Sequence, residues 1–236
     1  MRHASPALFL LIGLTASAAP ACRVQSGPTV TPVIELYTSE GCSSCPPADR
    51  WLSAQRGSPA VLQAFHVGYW DAIGWPDRFA DASHTTRQRE RARANGLLQI
   101  YTPQVLHNGV DWPQWRTRAA PPPGQARVQI ELARGAAADA FEARVTPQPG
   151  VGPWQAWWTV TEDGHATRVR AGENAGAHLR HDAVVRQYRP AGTHEGAATL
   201  RLDAPPATPG HARRINLVVT TPGEGALLQA LSLPCD

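Results

Sequence analysis

At 236 residues and a formal charge of only +3, the chain has length for one or two packed domains and lacks the basic excess that a nucleic-acid partner requires. Apart from histidine its cationic side chains are all arginine, alongside 22 prolines and 20 glycines, which reads as compositional bias rather than a binding feature. No apolar run reaches the roughly 20 residues that a membrane-spanning helix needs.

Residues 1–21 read as an export signal: Arg2 and His3, an apolar run over 7–14, then Ala-x-Ala patterns ending at Ala18, Ala19 and Ala21. The mature protein is therefore expected to be soluble and periplasmic or secreted. Cys22 follows directly, which opens the alternative of a lipid anchor on Cys22. Against it, Ala19 stands where lipoprotein signals usually carry an aliphatic residue such as leucine. In an oxidising compartment the cysteines, Cys22, Cys42, Cys45 and Cys235, allow two bridges. Cys42 and Cys45 are placed to pair locally, which leaves Cys22 with Cys235 as an end-to-end staple. In the chain-entropy model so long a loop contributes about 4–5 kcal/mol. In the competing reading Cys22 is removed or lipidated and Cys235 is a free thiol.

The β-favouring run Val33, Ile34, Leu36, Tyr37 ends in the turn Ser39-Glu40-Gly41, and Cys42-Ser43-Ser44-Cys45-Pro46-Pro47 follows. A helix is expected over 46–55, with Ala48, Trp51, Leu52 and Ala54 available for a buried face. Prolines suit a first turn, whose N–H groups have no intrahelical partner, but the residue before a proline avoids the α region. Regular helix is therefore expected from near Cys45. Strand, turn, Cys-x-x-Cys and helix in that order favour a redox pair over half a zinc site.

Gly57-Ser58-Pro59 breaks the helix, and 61–67 reads as a second strand closed by His66. The loop Gly68-Tyr69-Trp70-Asp71 to Gly74-Trp75-Pro76-Asp77 carries aromatic and acidic residues, either as a rim beside the cysteines or as ordinary loop packing. Residues 81–94 form a polar helix whose Arg87, Arg89, Arg91 and Arg93 are expected on a solvated face. Asn95-Gly96 stops it. In Tyr101-Thr102-Pro103-Gln104-Val105-Leu106-His107-Asn108-Gly109-Val110, the Asn-Gly pair between extended segments is a hairpin signal.

Residues 33–49 and 101–109 together resemble the thioredoxin-like superfamily, in its glutaredoxin-type variant, which has a Tyr-Thr pair before Cys-x-x-Cys and a later Val- or Thr-Pro strand. More closely, E-L-Y-T-S-E-G-C-S-S-C-P-P-A-D, F-H-V-G-Y-W-D-x-x-G-W-P-D-x-F and Y-T-P-Q-V resemble the DUF1223 family of exported bacterial proteins, and cover most of 33–110. The superfamily resemblance implies a four-stranded core with flanking helices and a cis proline facing the cysteines.

Residues 119–125, with consecutive prolines, read as a stiff linker. Beyond it short strands are expected at 127–132, 141–146, 154–161, 165–170, 183–188, 197–202, 213–220 and 227–233, the pattern of an antiparallel sandwich. The fold expected is thus an α/β thioredoxin-like domain over 28–118 followed by an all-β sandwich-like domain over 126–236. The stretch Gly172-Glu173-Asn174-Ala175-Gly176, continued at His181-Asp182-Ala183-Val184-Val185-Arg186, is motif-like but suggests no chemistry by itself and reads as a structural loop and strand.

Disulfide exchange needs a thiolate. Cys42 would be the attacking sulfur, with N–H groups of Ser44 and Cys45 near its anion, and Cys45 the resolving one. Glu35 is the candidate proton shuttle for Cys45 if it points inward; the alternative is a solvent-facing strand acid. Thr102 and Pro103 would offer backbone to a substrate strand. The leading reading is a thiol–disulfide oxidoreductase acting on exported protein thiols or disulfides without a cofactor. The alternatives are a binding module with a structural disulfide, and a Cu(I)-handling protein using Cys42, Cys45 and His66.

Overall fold

The computed structural model describes residues 22–223 and 225–234. In chain order these form β1 (Arg23–Gln25), β2 (Val33–Thr38), α1 (Pro46–Ala54), β3 (Val61–His66), a 3-10 turn (Gly68–Ile73), α2 (Ala82–Ala94), β4 (Gln104–His107) and β5 (Val110–Asp111). There follow β6 (Val128–Arg134), β7 (Ala140–Pro147), β8 (Trp154–Glu162), β9 (His165–Arg168), β10 (His178–His181), β11 (Val184–His194), β12 (Ala198–Asp203), β13 (Arg213–Thr220) and β14 (Leu227–Pro234). The expected signal over 1–21 and the Cys22–Cys235 staple involve positions outside the described residues.

The fold is mostly β. An eight-stranded sheet runs β14-β13-β8-β11-β3-β2-β4-β5, a four-stranded sheet runs β1-β6-β7-β12, and β9 pairs with β10. In the first, β2 lies parallel to β3, as the connection through α1 requires, and antiparallel to β4. Both faces of β2 are covered, so every one of its residues is buried, and the apolar Val33, Ile34, Leu36 and Tyr37 fall on both faces rather than alternating with exposed polar positions. Ile34 and Leu36 pack with Ala64, Val105 and the α1 residues Ala48 and Leu52. On the other face Tyr37, Phe65 and Leu106 pack with Val185. There Phe65 meets His84 of α2.

Of the strands expected beyond the linker, all but that at 165–170, which pairs with β10 in a sheet of its own, join the two larger sheets, and these stack. Residues Val128, Ile130, Leu132, Phe141, Ala143 and Val145 alternate inward along β6 and β7 and meet Trp154, Trp158, Ile215, Leu217 and Leu233 across the core. Strands from before and after 119–125 are nevertheless interleaved. Strand β1 pairs with β6, and β11 pairs parallel with β3 through Val184 and Ala64. Strand β11 also continues to His194, past Pro190-Ala191-Gly192, by bulging between Pro190 and Gly192. The expected strand stops at 188; a proline leaves a gap in a ladder, and the bulge absorbs it.

The helix starts and stops follow their local chemistry. Cys45 is the N-cap residue of α1, with prolines in its first turn. Asp81 caps α2 by accepting from Ser83 N–H at 2.8 Å. One expectation for α2 is corrected: Arg89 and Arg93 are exposed, but Arg87 and Arg91 are buried. With His84 and Gln88 they share one helix face, the 84-87-88-91 spacing that turns towards the sheet.

A buried disulfide over a network of ionisable side chains

Cys42 and Cys45 form a disulfide at the mouth of α1. The loop is closed by Cys42 N–H to the Ser39 carbonyl and Cys45 N–H to the Cys42 carbonyl, both 3.2 Å. Thr102 Oγ1 donates to Cys42 Sγ at 3.4 Å, and Ser44 Oγ lies at the same distance from that sulfur. The Thr102–Pro103 peptide is cis. Above them, Trp70 Nε1 donates to Thr102 Oγ1 at 2.8 Å. A Cβ on Gly41 would stand 3.1 Å from that of Trp70, a contact tight enough that the 3-10 turn would have to give a few tenths of an ångström. Both cysteines are wholly buried.

Glu35 does not join them. It is buried, but on the α2 face of β2, where Arg87 Nη2 lies 2.9 Å away and Tyr37 donates its hydroxyl at 3.1 Å. Burial pushes the Glu35 carboxyl up, but the charges of Arg87 and Arg91 prevail and hold it below the usual carboxylate range. Arg87 also donates to Tyr188 Oη at 3.0 Å and lies over the Trp157 ring. The inward orientation is realised, yet it faces away from α1 and the disulfide.

On the α1 side lies a set of ionisable groups that the sequence reading left out, apart from His66. Asp49, one turn after Cys45, is buried beside Thr38. Desolvation raises the Asp49 carboxyl, only partly offset by His181 and His66. His66 Nδ1 and Asp77 Oδ2 are 2.6 Å apart, both fully buried. Burial alone would lower His66, but the Asp77 charge and hydrogen bond raise it, and reciprocally hold Asp77 low against its own desolvation. Asp77 Oδ2 also accepts from Glu40 N–H at 2.9 Å. Glu40, immediately before Gly41, accepts from Trp75 Nε1 at 2.8 Å and faces His181 Nε2 at 3.3 Å. Desolvation opposes ionisation of Glu40, but these hydrogen bonds keep its carboxyl below the usual value. The His66 and His181 rings meet edge to face, 4.9 Å between centroids.

The aromatic loop therefore serves both readings considered for it. Trp70 covers Gly41 and Thr102, Trp75 and Asp77 anchor the network, and Tyr69 and Ile73 remain exposed. Asp49 was signalled by its place in C-P-P-A-D. His181 lay in the motif-like stretch but carried no chemical role there, because its partner Glu40 is remote in the chain. His66 is committed to Asp77, and among the described residues no group of three or more His, Cys, Asp or Glu is arranged to hold a metal ion.

These features define a mostly β protein with a Cys-x-x-Cys disulfide at a strand-to-helix turn. The chain belongs to DUF1223, a protein family of unknown function, whose model matches residues 33–221. An X-ray structure of a protein from Agrobacterium tumefaciens is similar over 89% of this chain and 97% of its own, with 22% identity and a TM-score of 0.67. The structure titled HBP35 of Porphyromonas gingivalis is similar over 89% of this chain and 76% of its own, with 11% identity and a TM-score of 0.58. At these identities the likeness is one of fold. No protein of curated function matches the chain.

Proposed function

We propose that the Cys42–Cys45 pair is a thiol–disulfide exchange centre in a thioredoxin-like setting, acting on the thiols or disulfides of exported proteins. The observation that carries this reading is the contact of Thr102, at the entry to β4, with the sulfur of the cysteine that precedes α1. It brings together two stretches that the sequence singled out separately. The parallel β2–α1–β3 unit and the antiparallel β4 support the same arrangement. Export rests on the character of residues 1–21.

The exchange balances as follows. A substrate thiolate attacks Cys42 Sγ, a new S–S bond forms, and the Cys42–Cys45 bond breaks with its electron pair on Cys45. Cys45 takes up a proton. A second substrate thiolate then attacks the substrate sulfur of the mixed disulfide and releases Cys42 as thiolate. The substrate loses two electrons and the pair gains them; the reverse sequence reduces a substrate disulfide. Asp49 is the acid placed to handle the Cys45 proton. Its raised carboxyl lies on the same face as α1, whereas Glu35 is ion-paired on the opposite face.

A second reading, a binding module with a structural disulfide, is favoured by the complete burial of both sulfurs. Equilibration in graded thiol–disulfide buffers separates the two. A potential between about −270 and −120 mV is expected for an exchange centre, and one below about −300 mV for a structural bond. In addition, Cys45→Ser should trap mixed disulfides and Cys42→Ser should abolish turnover. Full turnover in both variants would sink the exchange reading.

A further inference from the structure

The stretch 172–176, distinctive in sequence but without assigned chemistry, reaches across the molecule to the disulfide loop. It connects β9 to β10, and β10 packs against α1. Asn174 Nδ2 donates to two carbonyls of that loop, those of Glu40 and Cys42, each at 2.9 Å. The next side chain, Glu173, accepts the N–H of Ser43 at 3.2 Å. Gly172, at φ +72°, lies so close to Trp75 that a Cβ would come within 3.2 Å of the Trp75 Cβ. The contacts thus bracket Cys42 on both sides: carbonyls at 40 and 42, an amide at 43.

We infer that Glu173 and Asn174 are positioning residues that set the redox potential of the Cys42–Cys45 pair, with Asn174 holding the strap in register and Glu173 holding a negative charge beside Cys42. This rests on the exchange reading above and gives the C-terminal half a part in it. The physical argument concerns the reduced state. A thiolate at Cys42 is stabilised by nearby N–H groups and positive charge and opposed by a carboxylate within a few ångströms. Glu173 takes the Ser43 N–H and adds its own charge, so it disfavours the thiolate and hence the reduced pair. The Asn174 clamp ties Glu40 and Cys42 together through their carbonyls, and so keeps the backbone where Glu173 can reach it.

The test is the glutathione redox equilibrium of the wild type, Glu173→Gln, Asn174→Ala and the double variant, read by counting alkylated Cys42 and Cys45. Glu173→Gln is expected to shift the equilibrium about threefold or more towards the reduced pair. At about 30 mV per tenfold change, that makes the potential less negative by about 15 mV or more. The shift should shrink in about 1 M salt, because Glu173 is exposed and its field is screened. In the Asn174→Ala background the same substitution should have little further effect, since the carboxylate is no longer held in place. An unchanged potential in Glu173→Gln, or a full effect that survives loss of Asn174, overturns the inference. Should Asn174→Ala fail to fold, the Glu173→Gln shift and its salt dependence still decide. A wild-type potential below about −300 mV that Glu173→Gln nevertheless raises would leave the strap standing and remove the exchange reading.

Discussion

Arg87 shows how far a single side chain departs from what its type suggests. An arginine in a polar helix reads as solvated, yet this one is buried between Glu35, Tyr188 and the Trp157 ring. Replacing it with methionine keeps the volume but strands the Glu35 carboxylate, which should cost about 3–5 kcal/mol in urea unfolding. Exchanging Glu35 for leucine at the same time should recover much of that, because the uncompensated charge is gone. A double variant no better than Arg87→Met would show that the loss comes from packing instead. The His66–Asp77 pair makes a pH-dependent prediction. His66 is raised in the fold, so its contribution is complete below its unfolded value of about 6.5 and is lost as pH climbs through the raised one. Asp77 is lowered, so its contribution is complete above about 3.9 and is lost as pH falls through the depressed value. The pair therefore supports the fold best between about pH 4 and 6.5. Asp49, raised by burial, adds a penalty that builds as pH rises from about 3.9 towards its own raised value. Urea midpoints measured against pH should fall on the alkaline side, and His66→Gln should flatten that fall.

At the scale of elements, the hairpin between β4 and β5 turns on Asn108 and Gly109, with φ of 52° and 82°. The Asn-Gly signal is legible because two successive positive φ values suit few other pairs. What the signal does not contain is Arg91, whose guanidinium occupies the space where a Cβ on Gly109 would project. Gly109→Ala is accordingly expected to cost more than about 1–2 kcal/mol, the backbone cost alone. Gly57→Ala, at φ +88° with nothing within 4 Å, should cost the backbone share only. Equal losses in thermal or urea unfolding would remove Arg91 from the explanation. The 3-10 turn lends itself to a kinetic measurement. Trp70 closes over Gly41 and holds Thr102 against Cys42. Trp70→Ala should therefore speed reduction of the Cys42–Cys45 bond by a small thiol several-fold, read by alkylation against time. An unchanged rate would mean that the sulfur is reached from another side.

For the whole molecule, the interleaving of strands matters more than the proline-rich connection at 119–125. Strand β3 is flanked by β11 as well as β2, and Arg87 and Glu40 each have a partner in the later half of the chain, Tyr188 and His181. We expect the full chain to unfold in urea as one transition, with tryptophan fluorescence and near-UV circular dichroism superimposing. Two separated transitions would show that the halves are held by independent cores.

What the sequence by itself determined is local. The strand before the cysteines, the helix opening at Cys45, the Asn-Gly hairpin and the positions of most later strands follow from side-chain periodicity and from residues with restricted backbone angles. Those constraints act over a few neighbouring residues and need no partner elsewhere. The place of Glu35 was decided by tertiary structure alone, since alternation assigns it a face of β2 but not which helix covers that face. The same holds for Asp49, His66, Asp77, Glu40 and His181, and for the reach of Glu173 and Asn174 to the disulfide loop. Each of these depends on which remote segment supplies the opposing charge or hydrogen bond once water is excluded, and pairing across that much chain is settled only when the sheets pack.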